Sequence, residues 1–163
     1  MEKQLRDKNG LTEEEFLRQY DSDKYPKPSL TADMVIFRLS DREPEVLLIR
    51  RGGHPFLGCW ALPGGFANPG EELSLTALRE LEEETCVTGV KPSLVGVYSK
   101  PGRDPRGWTV SAAYYAVVKE NEVTAKAADD AAETGWFPLS EAGAMHLAFD
   151  HDDILRDAKA FLT

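Results

Sequence analysis

Apolar residues cluster along the chain in two rhythms, one that suits strands and one that suits helices. Residues 29–39 (SLTADMVIFRL) and 45–50 (EVLLIR) are short apolar runs rich in β-branched side chains, and Asp41-Arg42-Glu43-Pro44 between them is turn chemistry. Residues 59–62 (CWAL), 93–99 (SLVGVYS), 108–119 (WTVSAAYYAVVK) and 133–138 (ETGWFP) read as further strands, the third being the longest. Helical spacing governs 72–85, where Leu75, Leu78, Leu81 and Thr85 fall on one side of a wheel and Glu80, Glu83 and Glu84 roughly opposite. It returns in 150–162, where Ile154, Leu155, Ala158, Phe161 and Leu162 define an amphipathic helix, and Ser140 is a candidate cap for a short helix before it. Near the start, Thr12 and Glu15 form a capping box ahead of Phe16, Leu17 and Tyr20, and Pro26 and Pro28 end that helix. The expectation is a lead-in over 1–28, which either packs on the body or makes a dimer contact. One α+β or α/β domain over 29–163 follows.

Composition narrows the class. At 163 residues the chain fits one domain with a sizeable core. No apolar run approaches membrane-spanning length and MEKQLRDKNG lacks a signal-peptide core, so no membrane partner and a cytoplasmic location are expected. Two cysteines without secretory signals, Cys59 and Cys86, are expected as free buried thiols. The net charge of −9 argues against nucleic acid as the main partner. It leaves an anionic small molecule open, because a bound metal inverts the local field.

Three groups of residues carry candidate chemistry. Glu80, Glu83 and Glu84 stand at i, i+3 and i+4, where like charges destabilise a bare helix by about 0.2–0.5 kcal/mol per pair. A divalent cation would relieve that repulsion, and hard carboxylate oxygens suit Mg²⁺; the plainer account is a solvated acidic face. Gly64 and Gly65 permit close approach to a ligand or a tight entry into the next element. Arg51, with Arg50 at the same strand end, is placed to reach a phosphate or simply to face solvent. Arg103 and Arg106 lie in a short loop before Trp108. Guanidinium forks suit phosphate oxygens and an indole holds a ribose or base, against the alternative of a solvated basic loop. His54, His146 and His151 lack metal-ligand spacing and are assigned structural roles.

The run from Gly65 through Glu71, Arg79-Glu80-Leu81, Glu83-Glu84 and Val87 resembles the Nudix box: Gly, five residues, Glu, seven residues, Arg-Glu-aliphatic-any-Glu-Glu-any-Gly-aliphatic. Cys86 stands where the pattern has glycine, so either it takes a left-handed conformation at a cost of about 1 kcal/mol or the helix ends nearer Gly89. WALPGGF, SKPGRDPRGWTVSAAYYAV, LAFDHDDIL and the lead-in LTEEEFLRQYD are similar to the bacterial ADP-ribose pyrophosphatase branch of that family. The resemblance implies a mixed sheet between helices, an α/β/α sandwich. It implies Mg²⁺, with Mn²⁺ as alternative, held by Glu80, Glu83 and Glu84, and Arg79 orienting a carboxylate such as Glu71 or Glu83. The implied reaction is hydrolysis of a nucleoside diphosphate linked to another group, foremost ADP-ribose to AMP and ribose 5-phosphate. The general base stays open between Glu83, Glu133, Asp129 and Asp130, and a homodimer is expected by resemblance alone. Two alternatives accompany the enzyme reading. One is an ADP-ribose sensor of the kind fused to a winged helix, disfavoured by intact glutamates and by a chain that ends at Thr163. The other is a hydrolase of oxidised nucleoside triphosphates.

Overall fold

In the computed structural model, residues 5–127 and 131–162 are described. Seven strands form one mixed sheet in the order β3-β2-β1-β6-β5, with β4 added to β1 and β7 to β2. β1 (Ser29–Leu39) runs parallel to β6 (Thr109–Lys119) over its whole length, from Ser29 opposite Thr109 to Leu39 opposite Lys119. Its other edge is shared. β2 (Glu45–Arg51) pairs antiparallel at Phe37 and Arg38, whereas β4 (Gly64–Phe66) pairs antiparallel at Thr31, Ala32 and Asp33. β2 instead continues alongside β7 (Ala131–Pro138) and the two-residue β3 (Trp60–Ala61), while β5 (Ser93–Tyr98) closes the far edge against β6. The parting of β2 from β1 opens the sheet at Asp33.

Strand alternation sorts β1 between two cores. Ala32, Met34 and Ile36 pack under α2 (Leu73–Thr85) with Ala77 and Leu81. Val35 and Phe37 face the other way, onto Ile154, Leu155 and Ala158 of α4 (His151–Lys159). Helices thus cover both faces, as the α/β/α expectation required. α3 (Leu139–Ala142) is capped by Pro138, not Ser140, whose hydroxyl donates to Glu43 Oε1 at 2.7 Å. The terminal helix ends at Lys159 and the chain continues as a 3₁₀ turn.

Several expectations change on contact with the fold. Leu75 is exposed, while Thr76, Ala77, Leu81, Glu84 and Thr85 are buried, because α2 lies across both β1 and β4 of the sheet. Cys86 does take the left-handed conformation, at φ 60°, and its N–H reaches Glu82 O at 2.8 Å; the helix does not run on to Gly89. Both cysteines are free, but Cys86 is exposed and Cys59 half-buried, so neither is a buried thiol. α1 (Glu13–Gln19) has the full capping box, yet buries none of its residues; Phe16, Leu17 and Tyr20 stay open to solvent. Among the described residues no helix is long and apolar enough to cross a membrane.

Candidate functional site

The opening beside β1 is a cavity of about 650 Å³. Its acid side is made by β1, β4 and α2. β4 needs glycine at Gly64, and at Gly65 a side chain would displace the Glu80 carboxylate. A Cβ on Gly64 would overlap the Asp33 carboxylate and come within 2.5 Å of Ala32 O, and a Cβ on Gly65 would lie 2.5 Å from Glu80 Cδ. Neither has positive φ, so these glycines serve close approach of side chains, not a turn. The result is that Glu80, Glu84 and Asp33 border one space. The Gly64 N–H donates to Glu84 Oε2 at 3.0 Å. Burial pushes the Glu84 carboxyl up to about 8, the Gly64 bond opposes this, and the charges of Glu80 and Asp33 reinforce it. Burial also raises Glu80, against the pull of Arg79.

Arg79 is the hub behind this side. Its guanidinium donates to Glu71 at 2.8 Å and 2.9 Å, to Glu80 at 2.8 Å, to Glu83 at 3.1 Å and to Phe66 O at 2.9 Å. The hydrogen bonds from Arg79 and then Thr76 hold the Glu71 carboxyl down at about 2. Arg79, Glu71 and Glu83 therefore stand behind the cavity rather than on it. The wheel's solvated acidic face describes Glu83 alone of the three, since its side chain is 45 % exposed against 15 % for Glu80.

The opposite side is cationic and aromatic. Arg51, Arg103, Arg106 and Phe149 border the cavity, with Gly52, Gly53 and His54 at its lip. Arg103 is buried and locked to Asp150 by two bonds of 2.8 Å and 2.6 Å, which tie the loop after β5 to the start of α4. Arg106 is half-exposed, grips Asp104 at 2.8 Å, and lies over Phe66 at 4.6 Å and Phe149 at 5.4 Å. Arg51 donates to Pro55 O at 2.7 Å and makes no ion pair among the described residues; burial and then Arg106 lower its affinity for its proton. Phe149 and Phe56 both have positive φ, 54° and 59°, and their rings meet at 4.7 Å. Bulky residues seldom adopt that backbone, and such strain gathers at functional sites.

The sequence reading missed the floor. Asp33 and His151 both border the cavity, 78 positions from Ser111 in one case and 89 from Leu62 in the other. Burial works against the Asp33 charge, but His151, Ser111 and the field of Arg103 outweigh it and hold its carboxyl below the usual range. The available signal was an acid inside an otherwise apolar strand. Three of the expected site residues do not line the cavity. Trp108 is exposed and lies outside the cavity lining, because it precedes β6 on the far side of the Arg106 turn. Glu133 points to solvent and pairs with Arg50 at 3.6 Å, since β7 presents Ala131 and Ala132 inward instead. Glu83 meets Glu80 at one Arg79 nitrogen but does not line the cavity with Glu80 and Glu84; among the described residues no three acidic, His or Cys side chains enclose a metal position. Asp129 and Asp130 lie outside the described residues.

What remains fits a divalent cation. Two carboxylates, each made costly to ionise by burial and by its neighbours, share one cavity and offer hard oxygen donors. Facing them, guanidinium groups and flat rings suit a phosphate-bearing ligand with a base or sugar attached.

Comparison with known proteins agrees. The model of the NUDIX domain matches residues 28–158. An ADP-ribose pyrophosphatase of Methanocaldococcus jannaschii is 41 % identical over 133 residues, covering 82 % of this chain and 74 % of that protein. An ADPR-responsive transcriptional repressor of Acinetobacter baylyi is 35 % identical over 94 % of this chain, which spans 62 % of the repressor's length. Among solved structures, the NUDIX domain of Shewanella oneidensis NrtR complexed with ADP-ribose superimposes with a TM-score of 0.83 at 36 % identity, covering 94 % of this chain and all of that one.

Proposed function

The chain belongs to the Nudix family, and from that premise we propose that it is a pyrophosphohydrolase that cleaves ADP-ribose to AMP and ribose 5-phosphate with the help of Mg²⁺. Nudix hydrolases use divalent metal ions. The observation that carries the reading is the cavity itself, which sets Glu80 and Glu84 on one side and Arg51, Arg106 and Phe149 on the other. A diphosphate needs both: anions to seat its cation and cations for its own charge.

Glu80 and Glu84 are the residues that would hold the ion, with Glu83, which meets Glu80 at Arg79, as a further carboxylate beside them. When bound, the ion neutralises charge on the diphosphate and makes bound water a stronger nucleophile. The chain's own residues do the rest. Arg79 orients Glu80 by a charge-assisted bond, and Glu71 holds Arg79 in turn. Arg51, with no carboxylate partner among the described residues, is the guanidinium placed to take a phosphate oxygen. Arg106 offers its remaining donors at the rim beside Phe66 and Phe149.

A second reading, ADP-ribose binding without turnover, is favoured by the likeness to the ADPR-responsive repressor and to the NrtR domain. Incubation with ADP-ribose and Mg²⁺, read by chromatography, separates the two. Stoichiometric appearance of AMP and ribose 5-phosphate supports the enzyme; binding with intact ADP-ribose supports the sensor. Absence of binding removes both.

A further inference from the structure

The cavity lining holds two buried polar side chains to which the reading above gives no task. His151 Nδ1 accepts the Leu62 N–H at 3.0 Å. Only an unprotonated nitrogen can accept that bond, so the ring proton sits on Nε2. Nε2 faces Asp33 Oδ1 at 3.4 Å, beyond the usual 2.7–3.2 Å of such bonds. The other Asp33 oxygen takes the Ser111 hydroxyl, which fixes the carboxylate in place. Both side chains are nearly buried, yet both border the cavity. A ligand reaching the floor therefore meets an acceptor and a donor side by side, neither fully committed to the other.

That pairing is selective. A phosphate oxygen only accepts, and it would approach a carboxylate. A cation would approach an N–H. A hydroxyl donates and accepts at once, and satisfies both groups. An adenine edge also carries a donor beside an acceptor, and the Phe149 ring lies 5.4 Å from His151, so inosine diphosphate ribose distinguishes a base edge from a hydroxyl. Resting on the ADP-ribose reading above, the geometry points to Asp33 and His151 as the binding site for a ribose hydroxyl of the substrate.

The test is a set of ligand-by-mutant cycles, measured by calorimetry in EDTA so that nothing turns over. The proteins are wild type, Asp33→Asn and His151→Asn; asparagine can still accept the Leu62 N–H while removing the donor that faces Asp33. The ligands are ADP-ribose, its analogues deoxygenated on the terminal or on the adenosine ribose, and inosine diphosphate ribose. Wild type should lose about ten- to hundredfold in affinity when hydroxyls of one ribose are removed. Both variants should lose a similar factor for ADP-ribose and then ignore that deletion, which names the ribose bound. Additive losses for both riboses overturn the inference, as does coupling to the inosine change instead. If Asp33→Asn fails to fold, His151→Asn carries the cycle alone. Wild type that binds no ADP-ribose removes the functional reading and this inference with it, whereas tight binding with additive cycles removes this inference only.

Discussion

The two sides of the cavity handle charge in opposite ways. On the acid side Glu71, Glu80 and Glu83 share one arginine, and buried Glu84 has, among the described residues, a backbone N–H and the more distant field of Arg51 to stabilise it. On the basic side each arginine of the loop after β5 has its own carboxylate, Asp150 for Arg103 and Asp104 for Arg106. The two loop arginines are matched as they stand, whereas Arg51 makes no ion pair among the described residues. On the acid side, burial and the neighbouring charges of Glu80 and Asp33 favour a proton on Glu84, which a cation could replace. Binding sites and struts are told apart by which charges are left over, not by how many there are.

The comparison can be broken at either side. The largest effect is expected from Glu84→Gln, which keeps the Gly64 hydrogen bond but removes the charge. Turnover of ADP-ribose should fall on the order of 10²–10³-fold, and the fold, followed by circular dichroism, should survive. Activity near wild type would take Glu84 out of the metal seat. Next comes Arg103→Ala. Removing a buried guanidinium leaves Asp150 unmatched, so denaturant titration should show a loss of about 3 kcal/mol. Arg106→Ala should act on binding as well, raising KM for ADP-ribose about tenfold with kcat little changed, beyond any stability lost by unmatching the buried Asp104. If the two arginines respond alike, the division between strut and binding group fails. The smallest effect lies outside the cavity. Cys86→Gly removes a Cβ from a left-handed residue and should stabilise the protein by about 1 kcal/mol.

Acidity separates the two sides as well. Glu84, raised in the folded state to about 8 from an ordinary 4.5, contributes stability that is fully present below pH 4.5. That contribution is lost as the pH rises towards 8. Glu71, lowered to about 2, contributes in the reverse sense: its share is present above pH 4.5 and lost as pH falls towards 2. Melting curves in EDTA should therefore show stability declining between pH 5 and 8 in wild type and a flatter profile in Glu84→Gln.

What could be read from sequence follows distance along the chain. Thr12 and Glu15 cap α1 because both partners lie within one turn, and the box residues Glu71, Arg79, Glu80 and Glu83 meet within a dozen positions. β1 and α2 were legible because a period of two or 3.6 needs no partner. β4 was not, since three residues carry no period and its strand character comes from Asp33, Ala32 and Thr31 opposite. The burial of Glu84 follows from the same pairing, which no helical wheel contains. His151 looked structural for want of ligand spacing, but its role is set by Leu62 and Asp33, far away in sequence. Trp108 and Glu133 illustrate the converse: adjacency to a promising loop or strand does not fix which way a side chain points.

The central claim is that Glu84 waits, protonated and buried, for a divalent ion. Calorimetric titration of Mg²⁺ at pH 7, in two buffers of different ionisation enthalpy, counts the protons released on binding. The account predicts roughly one proton per ion bound in wild type and none in Glu84→Gln. Mg²⁺ binding without proton release, and undiminished by Glu84→Gln, would contradict it.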